Sequence, residues 1–258
     1  MAGESDITFV TTFKGFDSPR DALCQCSAAF SWRLEKCQVL VIGDDYGVRE
    51  LCQDAGFALV PKVRRADALG LKSPCPMLRD IFRIACNTVS TTYFCLINAD
   101  IILSRQFHSK LGTLLFHKSD PFVTGVRQNV KLDKEITSVT EFDAMWRLAH
   151  GVYQNGGGTD FFALSRNLAR RILRVMPDYV MGATAWDNWL HWAALTMSSS
   201  PINATLRLPT MHPHHDYKGL SSASRSGIKG HPAVIHNQRL FYRRNERAAI
   251  TNSGWKIL

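Results

Sequence analysis

The chain has no apolar run near the ~20 residues needed to span a bilayer, and Met1-Ala2-Gly3-Glu4-Ser5-Asp6 has none of the layout of a signal peptide. A cytoplasmic protein is expected, with any membrane association peripheral. Cysteine patterning is also missing. The seven cysteines are odd in number and include no C-x-x-C pair and no zinc spacing. Cys37, Cys52, Cys86 and Cys95 lie in or beside apolar segments, which reads as free buried thiols in a reducing compartment. There is no G-x-G-x-x-G after the first apolar run, no G-x-x-x-x-G-K-[ST] and no H-E-x-x-H. Those absences weigh against nucleotide-dependent dehydrogenases, P-loop enzymes and zincins. Acidic residues are few, 22 against 31 Lys and Arg, for a net charge of +9.

What is present describes an ordinary globular chain. Its 258 residues are 45% hydrophobic and 21% charged, enough for one sizeable α/β core. The charge is uneven. Residues 218–258 hold eight Lys or Arg against Glu246 alone, +7 of the total +9. A basic end suits an anionic partner such as phosphate, lipid or nucleic acid, and it equally suits a solvated tail.

Strand and helix patterns alternate. Ile7 to Phe13 and Gln38 to Ile42 read as strands, with a helical stripe of Leu23, Cys26, Phe30 and Leu34 between them. A short helix from Gly47 and a strand over 57–63 follow. Residues 66–76 read as a loop and 77–89 as a helix. Strands are expected at 121–126, 161–164 and near 204–208, and helices over 142–153, 168–175 and 186–197, with a loop holding His212. Such alternation signals βαβ units and a mostly parallel sheet flanked by helices.

The most telling stretch is Thr91-Thr92-Tyr93-Phe94-Cys95-Leu96-Ile97-Asn98-Ala99-Asp100-Ile101-Ile102-Leu103. An unbroken apolar run suits a strand buried on both faces. Asp100 then sits where the strand leaves the core, at the edge where open α/β sheets bind ligands. A turn carboxylate capping the next element is the plain reading, and a cation partner is the functional one. Thr11 and Thr12, Asp44 and Asp45, and Asn98 fall at other strand ends on the same expected edge. Asp187, in Trp186-Asp187-Asn188-Trp189, opens an amphipathic helix. It serves either as an N-terminal carboxylate favoured by the helix dipole or as a general base at a cleft. His212, His214, His215 and Asp216 form a dense cluster suited to Mn²⁺ or Zn²⁺, or simply to packing in a loop.

These blocks resemble nucleotide-sugar glycosyltransferases of the GT-A fold, microbial and viral members in particular. The resemblance runs from about Ile7 to Tyr217. It rests on the order of Thr11-Thr12-Phe13, Gly43-Asp44-Asp45, Pro76-Met77-Leu78-Arg79-Asp80-Ile81-Phe82, Asn98-Ala99-Asp100, Asp160-Phe161-Phe162, Trp186-Asp187-Asn188-Trp189 and His212-x-x-His215-Asp216-Tyr217. It implies a single Rossmann-like GT-A domain over 1–217, with 218–258 as a basic lid or acceptor-side extension. It also implies a nucleotide-diphosphate sugar donor, UDP-linked above others, and a glycan or lipid-linked acceptor. Nucleic acid is not an expected partner, and peripheral membrane contact through the basic segment is. Donor contacts are implied for Thr11, Thr12, Asp44, Asp45, Arg79, Asn98, Asp160 and Trp186. A divalent metal, Mn²⁺ or Mg²⁺, is implied at Asp100 with His212 or His215. Asn98 stands where the family's metal-binding pair has its first Asp. Trp186-Asp187 occupies the place of the catalytic carboxylate of inverting members. A metal hydrolase built on the His/Asp cluster and a non-catalytic nucleotide- or sugar-binding module are the competing readings.

Overall fold

The computed structural model describes residues 6–149, 151–153, 158–214, 230–244, 248–251 and 254–257. The chain opens β1 (Ile7–Thr11), α1 (Pro19–Leu34), β2 (Gln38–Ile42), α2 (Val48–Ala55) and β3 (Ala58–Val60). A 3₁₀ turn at Ala66–Leu69 sits inside the expected loop, and α3 (Leu78–Thr88), β4 (Tyr93–Ile97), β5 (Ile102–Leu103) and α4 (Phe107–Leu115) follow. Next come β6 (Pro121–Val126), β7 (Gln128–Val130), α5 (Val139–Leu148), β8 (Val152–Tyr153), β9 (Thr159–Ser165), α6 (Arg166–Val175) and α7 (Trp186–Met197). The last described elements are β10 (Ser200–Asn203), β11 (Thr210–Pro213), α8 (Pro232–Arg244), β12 (Ala248–Thr251) and β13 (Gly254–Ile257).

Seven strands form the central sheet in the order β10-β6-β9-β4-β1-β2-β3. Neighbours are parallel except around β9, which runs antiparallel to both β4 and β6. The reversal has a consequence for the site. The start of β9, with Asp160, lies at the same sheet edge as the carboxyl ends of β1, β4 and β6. Helices α1, α2, α4 and α5 cover one face and α3, α6 and α7 the other, each laying an apolar stripe on the sheet. No helix among the described residues is long and apolar enough to cross a membrane.

A second sheet, β5-β11-β7-β8, extends beyond the carboxyl edge of the first. Here three sequence expectations are corrected, the first being the helix expected over 142–153, which ends at Leu148 and leaves Tyr153 in β8. The strand expected near 204–208 is a turn, and β10 precedes it. The Asn203 carboxamide accepts from the Thr205 backbone at 3.1 Å and from its hydroxyl at 2.6 Å, which turns the chain out of the strand. Gly125 permits this turn to lie flat on β6, because a Cβ there would approach Thr205 backbone atoms to 3.1 Å. His212 lies in β11 rather than in a loop. Pro213 is tolerated there because β5 pairs only with Thr210 and Met211, so the missing N–H falls past the end of β5.

Two buried side chains hold the turn that carries Asp100. The Thr11 hydroxyl donates to the Ile97 carbonyl at 2.7 Å, and the Trp32 indole donates to the Ile101 carbonyl at 2.9 Å. Helix α8 lies against α7 and braces the segment leading into it. The fully buried Asn237 donates to the carbonyls of Val180 and Thr184 and accepts from the Val180 N–H, each at 2.9 Å.

Trp32→Phe keeps most of the buried ring but strands the Ile101 carbonyl. The expected loss is about 1–3 kcal/mol, read as a lower urea midpoint at unchanged slope. An unchanged midpoint would show that the indole bond contributes nothing to the turn.

Candidate active site

The carboxyl ends of β1, β2 and β4 open into a cleft of about 610 Å³. Its walls include Thr12 and Lys14 after β1, Asp45 and Tyr46 after β2, and Asn98 and Asp100 after β4. Arg127 after β6, Asp160 at the start of β9, and Trp186 and Asp187 at the start of α7 complete it. The cleft therefore gathers Thr12, Asp45, Asn98, Asp100, Asp160, Trp186, Asp187 and His212 of the residues singled out by sequence. It does not gather Thr11, Asp44 or Arg79. Thr11 is fully buried on the Ile97 carbonyl, since successive strand residues point to opposite faces. Asp44 pairs with Arg49 outside the cleft lining. Arg79 is exposed, because Leu78, Ile81, Phe82 and Ala85 take the buried stripe of α3. His215 lies outside the described residues.

At the centre of the cleft floor is a buried ion pair. Arg127 donates to one Asp160 carboxylate oxygen, and the Asn98 amide donates to the other at 2.5 Å. The side chains of Arg127 and Asp160 are only 9% and 7% exposed. The Asn98 backbone N–H also donates to the Asp160 carbonyl at 2.9 Å, and that of Arg127 to the Gly158 carbonyl at 2.9 Å. Sequence reasoning passed over Arg127. Its signal was the one that flagged Asp100, a charged residue directly after an apolar strand.

Asp100 and His212 meet beside this floor. Strand β5 begins two residues after Asp100 and pairs antiparallel with β11, with Ile102 opposite Met211. That register brings His212 Nε2 to 3.4 Å from Asp100 Oδ2. The imidazole is 5% exposed and the carboxylate faces the cleft. A carboxylate oxygen and an imidazole nitrogen side by side suit a divalent cation. Among the described residues no group of three such donors occurs, so a cation held here would need further ligands from elsewhere. With an imidazole among the donors, the chemistry fits Mn²⁺ better than Mg²⁺.

Asp187 occupies the first turn of α7. Ala185, the residue before the helix, adopts φ 74°, a conformation costly for a residue with a Cβ, and supplies no side-chain cap. A helix start alone would pull a carboxyl pKa down. The Asp187 carboxyl moves the other way, up to about 6. Burial is the largest cause and the charge of Asp160 adds to it; the backbone N–H groups of Asn188 and Asp187 and the charge of Arg127 oppose it. One turn further on, burial holds the His191 imidazole neutral with its pKa down to about 3, its ring edge-on to Phe122 and Phe162.

No protein-family model matches the sequence, and no curated protein matches it. Among solved structures, the chain is similar to Staphylococcus aureus TarS 1-349, with a TM-score of 0.53, 7% identity, and coverage of 93% of this chain and 73% of that one. It is similar to the same fragment in complex with UDP-GlcNAc, at 0.53 and 9% identity over 93% and 66%. Against the fragment in complex with UDP the values are 0.51 and 6% over 92% and 72%. The chain spans 44% of the longer TarS structure, at a TM-score of 0.50. At these identities the likeness is one of fold: an α/β domain of GT-A type, with a mostly parallel central sheet between helices.

The raised pKa of Asp187 carries a stability cost with a definite sign. A carboxyl whose pKa is higher in the folded state contributes stability in full below its unfolded pKa, ~3.9, and loses that contribution as pH rises through about 6. Above pH 7 the partly buried charge then costs stability. Asp187→Asn should be more stable than the parent near pH 8, with the difference vanishing below pH ~4. Urea unfolding of both proteins at the two pH values checks this; a pH-independent difference would contradict it.

Proposed function

We propose that the chain is a glycosyltransferase that moves a sugar from a nucleotide-diphosphate sugar, UDP-linked above others, to a hydroxyl of a glycan or lipid-linked acceptor with inversion. The observation that carries the proposal is the juxtaposition in one cleft of a partly buried carboxyl with its pKa raised to about 6, Asp187, with the Asp100–His212 pair. The shared architecture with structures holding UDP-GlcNAc and UDP supports the donor class.

In this reading Thr12, Asp45 and Tyr46 take the nucleoside end of the donor, and Asn98 and Asp160 its ribose and sugar hydroxyls. Asp45 is held for that purpose by Arg65 at 2.9 Å. Trp186, 5% exposed at the cleft wall, offers an apolar edge to the sugar ring. Asp100 and His212 would hold a divalent metal, which when bound supplies positive charge to the diphosphate leaving group. Asp187 takes the proton of the acceptor hydroxyl as its oxygen attacks the anomeric carbon and the bond to the diphosphate oxygen breaks on the opposite face. An oxocarbenium-like transition state gains from the ionised carboxylates lining the floor. A base whose pKa lies near 6 is ionised at neutral pH yet still basic enough to accept that proton. Of the basic segment 218–258, read as a lid or an acceptor-side extension, α8 braces the segment that leads into α7, while residues 218–229 lie outside the described residues.

Asp187→Asn should lower turnover by about 10²–10⁴-fold with donor affinity nearly constant. The acid limb of turnover, which rises with pH up to about 6 in the parent, should disappear. Proton NMR of the product should show the inverted anomer. A retained anomer or near-normal turnover in Asp187→Asn would sink the mechanism. Asp100→Ala should remove the Mn²⁺ response of nucleotide binding, and an unchanged response would take the metal away from Asp100.

A further inference from the structure

The two helical layers differ sharply in charge. On the face covered by α1, α2, α4 and α5, five basic and five acidic side chains balance. On the other face α3 carries two arginines, α6 four and α8 three, against only Asp80 and Asp187 on α3 and α7. Asp187 points into the cleft, and Asp80 is already engaged by Arg83 at 2.6 Å and by the Arg64 N–H at 2.7 Å. Every basic residue in these helices is arginine, the side chain that binds phosphate oxygens in a planar, two-pronged fashion.

The arginines point outward together. Apolar residues of α3, α6 and α7 form a single cluster on the sheet, and Leu240 of α8 packs against the same cluster. Arg170, Arg174, Arg239 and Arg243 are all exposed, and Arg83 is exposed but spends its charge on Asp80. Helices α3 and α6 are close enough for charge to be felt across their seam. Burial pushes the Cys86 thiol of α3 up, and the charges of Arg170 and Arg166 on α6 pull it partly back. Two other arginines of α6 have structural partners: Arg171 pairs with Asp120 at 2.7 Å, and Arg166 donates to the Val89 carbonyl at 2.8 Å.

We infer that this arginine face, built by α3, α6 and α8, is a docking surface for an anionic lipid bilayer. A packed layer of helices presents its cations over a broad area instead of projecting one recognition helix into a groove, which suits a planar array of phosphates better than a duplex. A single-stranded nucleic acid would need stacking aromatics between the cations. Among the described residues of this face Tyr242 is the one large exposed aromatic. The surface is separate from the residues assigned to the cleft and does not depend on the chemistry proposed there.

Co-sedimentation of the full chain with phosphatidylcholine vesicles, with and without roughly one-third phosphatidylglycerol, tests the inference at about 0.1 M and 0.5 M salt. Binding is expected to the anionic vesicles only, and to fall steeply at the higher salt. The triple variant Arg170→Gln, Arg174→Gln, Arg239→Gln should bind them roughly a hundredfold more weakly, at about fivefold per arginine. The double variant Arg33→Gln, Arg147→Gln, on the balanced face, should bind as the parent does. No binding to anionic vesicles, full binding by the triple variant, or equal losses in both variants would overturn the assignment. Duplex DNA that displaces the vesicles and depends on the same three arginines would reassign the face to nucleic acid.

Discussion

The site depends on one buried ion pair. Arg127 follows β6, Asp160 lies at the start of β9, and Asn98 follows β4, and these three side chains are joined by hydrogen bonds at the cleft floor. Taking two charges out of water costs several kcal/mol, which their attraction offsets only when the remaining hydrogen bonds are made. Such a pair adds little to stability over an apolar pair of equal volume. Its effect is to fix which strand ends lie beside one another, because any slip of β9 against β4 would leave a buried charge unpaired. The antiparallel insertion of β9 delivers Asp160 to the carboxyl edge of an otherwise parallel sheet.

From that floor the electrostatics of the cleft follow. Asp160, paired, adds negative potential at Asp187, while Arg127 offsets part of it. Burial then decides the outcome and leaves Asp187 near neutrality. Asp100 sits in a different setting, on a turn clamped by Thr11 and Trp32 and set against His212 by the second sheet. Carboxylates in one cleft are thus given different properties by their surroundings, the pattern on which the proposed division into proton acceptor and cation ligand rests.

Much of the central sheet was legible because buried strands and amphipathic helices leave a clear period. The strands ending at Ile42, Ile97 and Val126 and the stripe of Trp186, Trp189, Leu190 and Ala193 stand out on hydrophobicity alone. Strand direction leaves no such trace, so nothing in Phe161-Phe162-Ala163-Leu164 announced that it runs against its neighbours. The second sheet was hidden because its strands are two to four residues long, too short for any period, and because Pro213 argues against a strand. At the cleft, the blocks at strand ends marked the right loops, but neighbours within a block differ. Thr12 and Asp45 face the cleft where Thr11 and Asp44 do not, a distinction of side-chain direction that a motif does not encode. Arg127 was overlooked because it belongs to no recognisable block, and Tyr46 because an exposed aromatic after a strand is unremarkable until the cleft beside it is seen.

The central claim is that this cleft binds a nucleotide-diphosphate sugar with help from a cation at Asp100 and His212. The most direct test is the melting temperature of the full chain against UDP-, GDP-, CMP- and dTDP-sugars, each with and without Mn²⁺. One diphosphate-linked class, UDP-sugars first, should stabilise the protein by roughly 2.7 kcal/mol at a hundred times its Kd, and distinctly less without the metal. A folded protein whose melting temperature responds to none of these donors, in either condition, would contradict the account.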